Sequence, residues 1–296
     1  MNKTAKIPLE RLRSYSSIFS RSVFFDILEF GDYSRINWLL ENDEYTRSFS
    51  TYSDYLIHLY SLLKKEYRCE YFFKNEIISK YIIKKLGTRD SIIFNEFRVG
   101  ESIADLAMMN GESKAFEIKT EYDSPRRLLK QLDDYHHIFN KVYLVTYFDQ
   151  LGQYLDIIPD YIGILVMRIH RNQVSIKTYR EAMYCMELDC DMLIRCLRIS
   201  EYKNIVQTYY NSLPSGNSDL YVSCLEAIRG IPKSVLNNLF LEEIKKRKSL
   251  TQALSDIPIE FRQMCLSLNL SLKKTKKLLN NLNNPINLQP ICISRI

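Results

Sequence analysis

The spacing of apolar residues along the chain changes period twice. Up to Glu66 it is helical, predicting helices over Ser22–Glu29, Ser34–Asn42 and Ser53–Glu66. Another helix is predicted over Glu70–Leu86, with Tyr71, Phe72, Ile78, Tyr81 and Ile82 on one broad face and Gly87 as its stop. The period then becomes that of extended chain. Ser91–Val99 and Ile103–Met109 read as strands, Asn110-Gly111 as a hairpin turn, and Ala115–Thr120 as the returning strand. Asp123-Ser124-Pro125 opens a helix that runs to about Asn140, and the apolar run Lys141–Phe148 suits a buried strand. Tyr161–Ile169 and Gln173–Arg180 are two further strands, joined at His170-Arg171-Asn172 by what reads as a tight turn. Helical spacing returns from about Glu187 to the end.

The middle third is therefore β-β-β-α-β between helical flanks, which predicts an α/β fold with N- and C-terminal helical additions. Three regions are expected: a helical extension over residues 1–66, an α/β core over 67–186 and a basic helical region over 187–296. Leu213–Asn217 has the composition of a linker, and Lys273–Asn287 is biased towards Lys and Asn.

With 46% hydrophobic and 26% charged residues, the chain is neither disordered nor fibrous. No apolar run reaches the ~20 residues of a membrane helix, so no membrane association is expected. Basic residues near the start have no apolar stretch behind them, so no signal peptide is expected. Seven cysteines, an odd number, read as reduced thiols of a cytoplasmic protein. The net charge of +6 is unevenly spread: Lys233–Ile296 holds eleven Lys/Arg against four Asp/Glu, a basic end of the kind that meets nucleic acid or lies as a solvated helical surface.

The candidate chemistry sits on the central hairpin. Asp105 interrupts one apolar strand, and Glu117 and Lys119 interrupt the other. Asp105 faces Phe116, Glu117 or Ile118 according to whether the loop holds two, three or four residues, and in each case neighbours Glu117. Glu117 and Lys119, two apart, share a face of the pleat. Two converging carboxylates repel unless a cation lies between them, and as hard oxygen donors they suit Mg²⁺ with several waters. Phosphodiester hydrolysis uses such a set, with a lysine to orient or deprotonate water or to steady the phosphate. A surface ion pair is the alternative for the same residues. On the following helix Arg127, Gln131 and Tyr135 are four apart and share a polar face, while Leu128, Leu129, Leu132 and Phe139 supply the packing side. His136-His137 point about 100° apart and do not make a metal pair.

Val99–Val145 resembles the core of the PD-(D/E)XK nuclease superfamily. Asp105 stands at its D and Glu117-Ile118-Lys119 at its (D/E)-X-K, with Ala104 in place of the preceding Pro. Gln131 to Tyr135 is similar to the Q-x-x-x-Y element of RecB-type members. In small stand-alone bacterial members an Asp and an Arg follow the E-I-K, here Asp123 and Arg127. The resemblance implies a restriction-endonuclease-like core, a small mixed sheet flanked by helices. It also implies one or two Mg²⁺ or Mn²⁺ ions held by Asp105, Glu117 and the Ile118 carbonyl. Many members add a carboxylate, for which Glu70, Glu76 and Glu96 are candidates, with Glu96 slightly preferred for its closeness to the hairpin.

The expectation is a metal-dependent nuclease acting on DNA, with RNA left open, in phage defence, mobile-element function or DNA repair. Asp105, Glu117, Lys119, Gln131 and Tyr135 would be catalytic, and Arg127, Gln131 and Tyr135 would meet the substrate. The rival expectation is a catalytically silent nuclease-fold protein that binds nucleic acid, or a protein partner through its helical flanks.

Overall fold

A computed structural model describes residues 7–43, 48–214 and 219–288. It separates into two compact units, one formed by residues 1–75 with 257–296 and the other by 76–256.

The first unit is helical. α1 (Leu9–Ile18), α2 (Arg21–Phe30), α3 (Ser34–Glu41), α4 (Tyr52–Glu66) and α5 (Glu70–Glu76) come from the start of the chain. Two late helices, α12 (Arg262–Ser267) and α13 (Leu272–Leu282), return to them. α1 was not singled out by the apolar spacing. Thr51 begins α4 with a reciprocal capping box to Asp54. The late return is fixed by polar bonds to main-chain oxygens: Asn281 Nδ2 donates to Ile27 O at 2.8 Å, and the Tyr33 hydroxyl to Asn281 O at 2.7 Å.

The second unit is built on a six-stranded mixed sheet, in the order β1 (Ile92–Val99), β2 (Ser102–Met109), β3 (Ser113–Lys119), β4 (Lys141–Tyr147), β5 (Gly163–His170) and β6 (Gln173–Arg180). β3, β4 and β5 run parallel, and the other neighbours are antiparallel. The α/β class is thus as the pattern predicts, and the sheet is mixed and flanked by helices. β3 is buried along its whole length because both of its faces are covered. On one face α6 (Leu128–His136) packs Leu128, Leu132 and Tyr135 into a core that takes in Ala115, Val142 and Leu144. α7 (Gly152–Leu155), α8 (Cys190–Cys196), α9 (Ile199–Tyr210), α10 (Leu220–Arg229) and α11 (Lys233–Lys245) extend that core. On the other face Tyr81 packs edge-on against Phe116 and Tyr143.

Three local readings need correction. The expected helix over Glu70–Leu86 is α5 followed by a wider π-helical stretch, Ile77–Leu86, whose end is marked by Gly87 N bonding to Ile82 O. The helix expected to reach Asn140 is a 3₁₀ turn, Pro125–Arg127, and then α6, which stops at His136. Asn140 is fully buried instead: its Oδ1 accepts from Ser113 N, and its Nδ2 donates to Cys185 O and Asn237 Oδ1. Leu129, placed on the packing side, is half exposed, because it lies one helical step from Leu128 and off the buried stripe.

The turn between β5 and β6 has two residues, Arg171 and Asn172, both at positive φ, the conformation of a type I′ hairpin. Of the expected linker Leu213–Asn217, residues 215–217 lie outside the described residues. Among the described residues no helix is long and apolar enough to cross a membrane, and the six cysteines there are all free thiols.

Candidate active site

The hairpin loop between β2 and β3 holds three residues, Asn110, Gly111 and Glu112, since Met109 pairs with Ser113. Gly111 sits at φ +93°, which an L side chain rarely adopts. Of the three alignments left open by the sequence, this register continues to Asp105 opposite Glu117. Regular pairing ends one step earlier, at Leu106 and Phe116, and from there the Asp105 side chain reaches across to the partner strand. Its Oδ2 accepts from Ile118 N at 2.7 Å.

Glu117 and Lys119 form a buried ion pair at 2.8 Å, their side chains 2% and 10% exposed. Lys119 Nζ also donates to Gln131 Oε1 at 3.1 Å. The Tyr135 hydroxyl lies 2.8 Å from Glu117 Oε2 and 2.7 Å from the Ile103 carbonyl. Burial raises the Tyr135 ionisation far above the usual phenol range, and the Glu117 carboxylate pushes it the same way. Tyr135 therefore stays a neutral donor.

α6 brings Gln131 and Tyr135 to this pair because they are one turn apart on the face turned to β3. Of the polar stripe expected to contact a phosphate backbone or brace the site, Tyr135 is fully buried and Gln131 half-buried, each hydrogen-bonded to the Glu117–Lys119 pair. The entry into α6 is set by Asp123, whose Oδ2 accepts from Thr120 N and Thr120 Oγ1 at 2.8 and 2.7 Å. Ser124 then caps the turn that Pro125 begins.

Of the remaining candidates, Ile118 sits inside this group, its N–H donating to Asp105, and Glu96 stands across from Asp105. Arg127 is exposed and precedes α6, outside the network. Ile118 is buried. Glu70 is exposed and pairs with Lys74 at 2.5 Å. Glu76 is buried. Glu96 is exposed at φ +61° in mid-strand, and the β1–β2 ladder skips it between the pairs Asn95–Leu106 and Phe97–Ala104. A non-glycine residue held in that conformation is locally strained, and its skipped position lies opposite Asp105. His136 stacks on Tyr161, with ring centres 4.2 Å apart, and His137 Nδ1 lies 2.8 Å from Asp133 O.

Asp105, Glu117 and the Ile118 carbonyl are hard oxygen donors of the kind that hold Mg²⁺ loosely, with waters and a substrate phosphate in the other positions. They do not form a protein cage: among the described residues no group of three His, Cys, Asp or Glu side chains gathers as a metal site.

A family model described as bacteriophage P4 protein cII matches residues 63–266, more than half of the chain. The chain belongs to that cII family. Protein cII of Enterobacteria phage P4 is 26% identical over 175 residues, which are 58% of this chain and 65% of the relative. The match thus spans just under two thirds of the P4 protein. Among solved structures, a protein of unknown function from Silicibacter pomeroyi shares 12% identity at a TM-score of 0.29, over 47% of this chain and 92% of its own.

In this cII-family chain the sequence reading missed Thr146. It faces Lys119 in the parallel β3–β4 register, and its hydroxyl donates to the Lys119 carbonyl at 3.0 Å, fixing the strand end that carries the ammonium. A threonine inside the apolar run Lys141–Phe148 was the available signal.

Proposed function

We propose that this protein is a metal-dependent nuclease with a restriction-endonuclease-like core, hydrolysing DNA phosphodiester bonds at Asp105, Glu117 and Lys119. One observation carries the reading: buried Glu117, Lys119 and Tyr135 and half-buried Gln131 form a single hydrogen-bonded network at the strand end beside Asp105. A buried ion pair adds little net stability over apolar packing, so its presence at a strand end next to a second carboxylate favours a chemical role. The order β-β-β-α-β, with β3 and β4 parallel, supports the core.

Asp105, Glu117 and the Ile118 carbonyl would hold Mg²⁺ or Mn²⁺. When bound, such an ion supplies a Lewis acid that polarises a phosphate oxygen and acidifies a water. Lys119 has three ammonium protons and directs two of them at Glu117 and Gln131. The third serves the scissile phosphate or the attacking water. Gln131 and Tyr135 hold Lys119 and Glu117 in place, a positioning role. A cytoplasmic setting agrees with the free thiols.

A second reading, a silent nuclease-fold binding protein, is favoured by one feature. Both Glu117 oxygens are engaged by protein donors, Oε1 by Lys119 and Oε2 by Tyr135. The deciding experiment is cleavage of supercoiled plasmid and linear duplex with Mg²⁺ or Mn²⁺, wild type beside Lys119→Ala and Glu117→Ala, with folding checked by circular dichroism. Metal-dependent cleavage lost in both folded variants establishes the nuclease. Cleavage that persists in them, or none by the wild type with no metal bound by calorimetry, rejects it.

A further inference from the structure

The whole net charge of +6 resides in the helical unit of residues 1–75 and 257–296, which holds 17 Lys/Arg against 11 Asp/Glu; the sheet unit balances at 24 against 24. The densest cationic segment of that helical unit is α13, with Lys273, Lys274, Lys276 and Lys277 in five consecutive positions and no acidic residue in the helix. All four are exposed, whereas Thr275, Leu278 and Leu282 are buried against the unit. Lys274 turns sideways to Glu29 at 2.6 Å. Lys273, Lys276, Lys277 and Asn280 follow i, i+3, i+4, i+7 and so line one outward face.

This arrangement works against helix stability. The lysines crowd the N-terminal half, where the helix dipole disfavours cations, and same-face neighbours repel one another. Ser271 caps the helix, its hydroxyl accepting from Lys274 N, but no carboxylate stands in the first turn to offset the dipole. An anion laid along the outward face removes both penalties. Lys273 stands one turn, about 5 Å along the axis, from Lys276 and Lys277, which puts the cations of the face within reach of neighbouring phosphates on one strand of a duplex. An anionic membrane is disfavoured as the occupant because Leu278 and Leu282 are already buried, and the single exposed Leu272 does not make an apolar face that could insert.

We propose that α13 is a duplex-DNA backbone-binding surface, with Lys273, Lys276 and Lys277 seated on phosphates independently of base sequence. The surface belongs to the helical unit, shares no residue with the candidate active site and needs no hydrolysis.

The test uses the full chain in EDTA, so that cleavage plays no part, with a labelled random-sequence duplex titrated from 50 to 200 mM salt. The triple variant Lys273→Gln, Lys276→Gln, Lys277→Gln should make the log–log salt slope shallower by about 0.9 for each phosphate no longer neutralised. Its affinity should fall roughly 100-fold or more at 100 mM salt. Its melting temperature should hold or rise, since the repulsion is gone, and the corresponding triple Arg variant should bind as the wild type. A control triple, Lys80→Gln, Lys84→Gln, Lys177→Gln, removes the same charge from exposed positions of the sheet unit. Equal losses in the control and α13 variants, or unchanged duplex binding in the α13 variant, overturn the proposal. So does lysine-dependent binding to phosphatidylserine vesicles without binding to the duplex.

Discussion

Tyr135 holds its hydroxyl 2.8 Å from Glu117 Oε2, with the Ile103 carbonyl 2.7 Å away. One hydroxyl proton serves both acceptors, and a phenol that burial keeps neutral can go on serving them throughout the ordinary pH range. Tyr135→Phe preserves the ring packed in the core and removes only that proton. We expect it to cost about 1–2 kcal/mol of stability, the scale of a buried acceptor left without its donor. If the nuclease reading holds, kcat should fall more than the substrate affinity, because Glu117 rather than the substrate loses its support. Urea unfolding and a kcat-against-KM comparison check both. In the wild type, tyrosine absorbance titration should leave Tyr135 un-ionised until the protein unfolds, together with the buried phenols of Tyr55, Tyr71 and Tyr143, and Tyr135→Phe should lower that late-titrating group by one.

The Glu117–Lys119 pair calls for a double-mutant cycle. Lys119→Met strands a buried carboxylate and should destabilise by about 3–5 kcal/mol, as Glu117→Gln strands a buried ammonium. The double variant, with neither charge left, should cost less than the sum of the two. Additive losses in urea unfolding would mean that the two charges do not interact. On the proposed nuclease reading, both single variants should be inactive.

The local periods made part of this site legible. Period two put Glu117 and Lys119 on one face, the Asn110-Gly111 turn put Asp105 beside them, and the four-residue interval joined Gln131 to Tyr135. What escaped depends on long-range packing. Nothing in the apolar spacing shows that Leu129 lies outside the buried stripe, or that Asn140 leaves the helix to bind Ser113, Cys185 and Asn237. The positive φ of Glu96 is a property of the β1–β2 register, not of glutamate. The return of α13 to the first helices spans some 250 residues, beyond any local pattern.

Gly163 makes a sharp packing prediction. It pairs with Tyr143 across the parallel strands, and a Cβ there would stand 2.4 Å from Tyr143 Cδ1 and 2.7 Å from Ala182 N. Both neighbours are fixed, the ring by its hydroxyl bond to Glu181 and the amide by the chain. Gly163→Ala should destabilise by about 1–3 kcal/mol, the usual cost of overpacking. Adding Tyr143→Leu should recover only part of the loss in thermal unfolding, since the Ala182 backbone remains.

Acid should weaken the sheet unit through Glu201. Arg247 grips both of its carboxylate oxygens at 2.8 and 2.7 Å and also donates to Cys196 O, while Arg198 N donates to Oε2. Burial alone would raise the Glu201 pKa, but the Arg247 hydrogen bonds and charge outweigh it and hold it below the usual 4.5. The folded state therefore prefers the ionised form more strongly than the unfolded chain does. The resulting stabilisation is full above about pH 4.5 and is lost as pH falls through the depressed folded value. Glu112, also lowered through Lys114 and Lys141, adds to the same acid limb, so the wild type alone does not isolate either residue. Glu201→Gln does: it should be less stable than the wild type at neutral pH, and the difference should shrink as the pH drops from 4.5 towards 3. A constant difference in urea midpoint across that range would show that the Arg247 pair carries no such linkage.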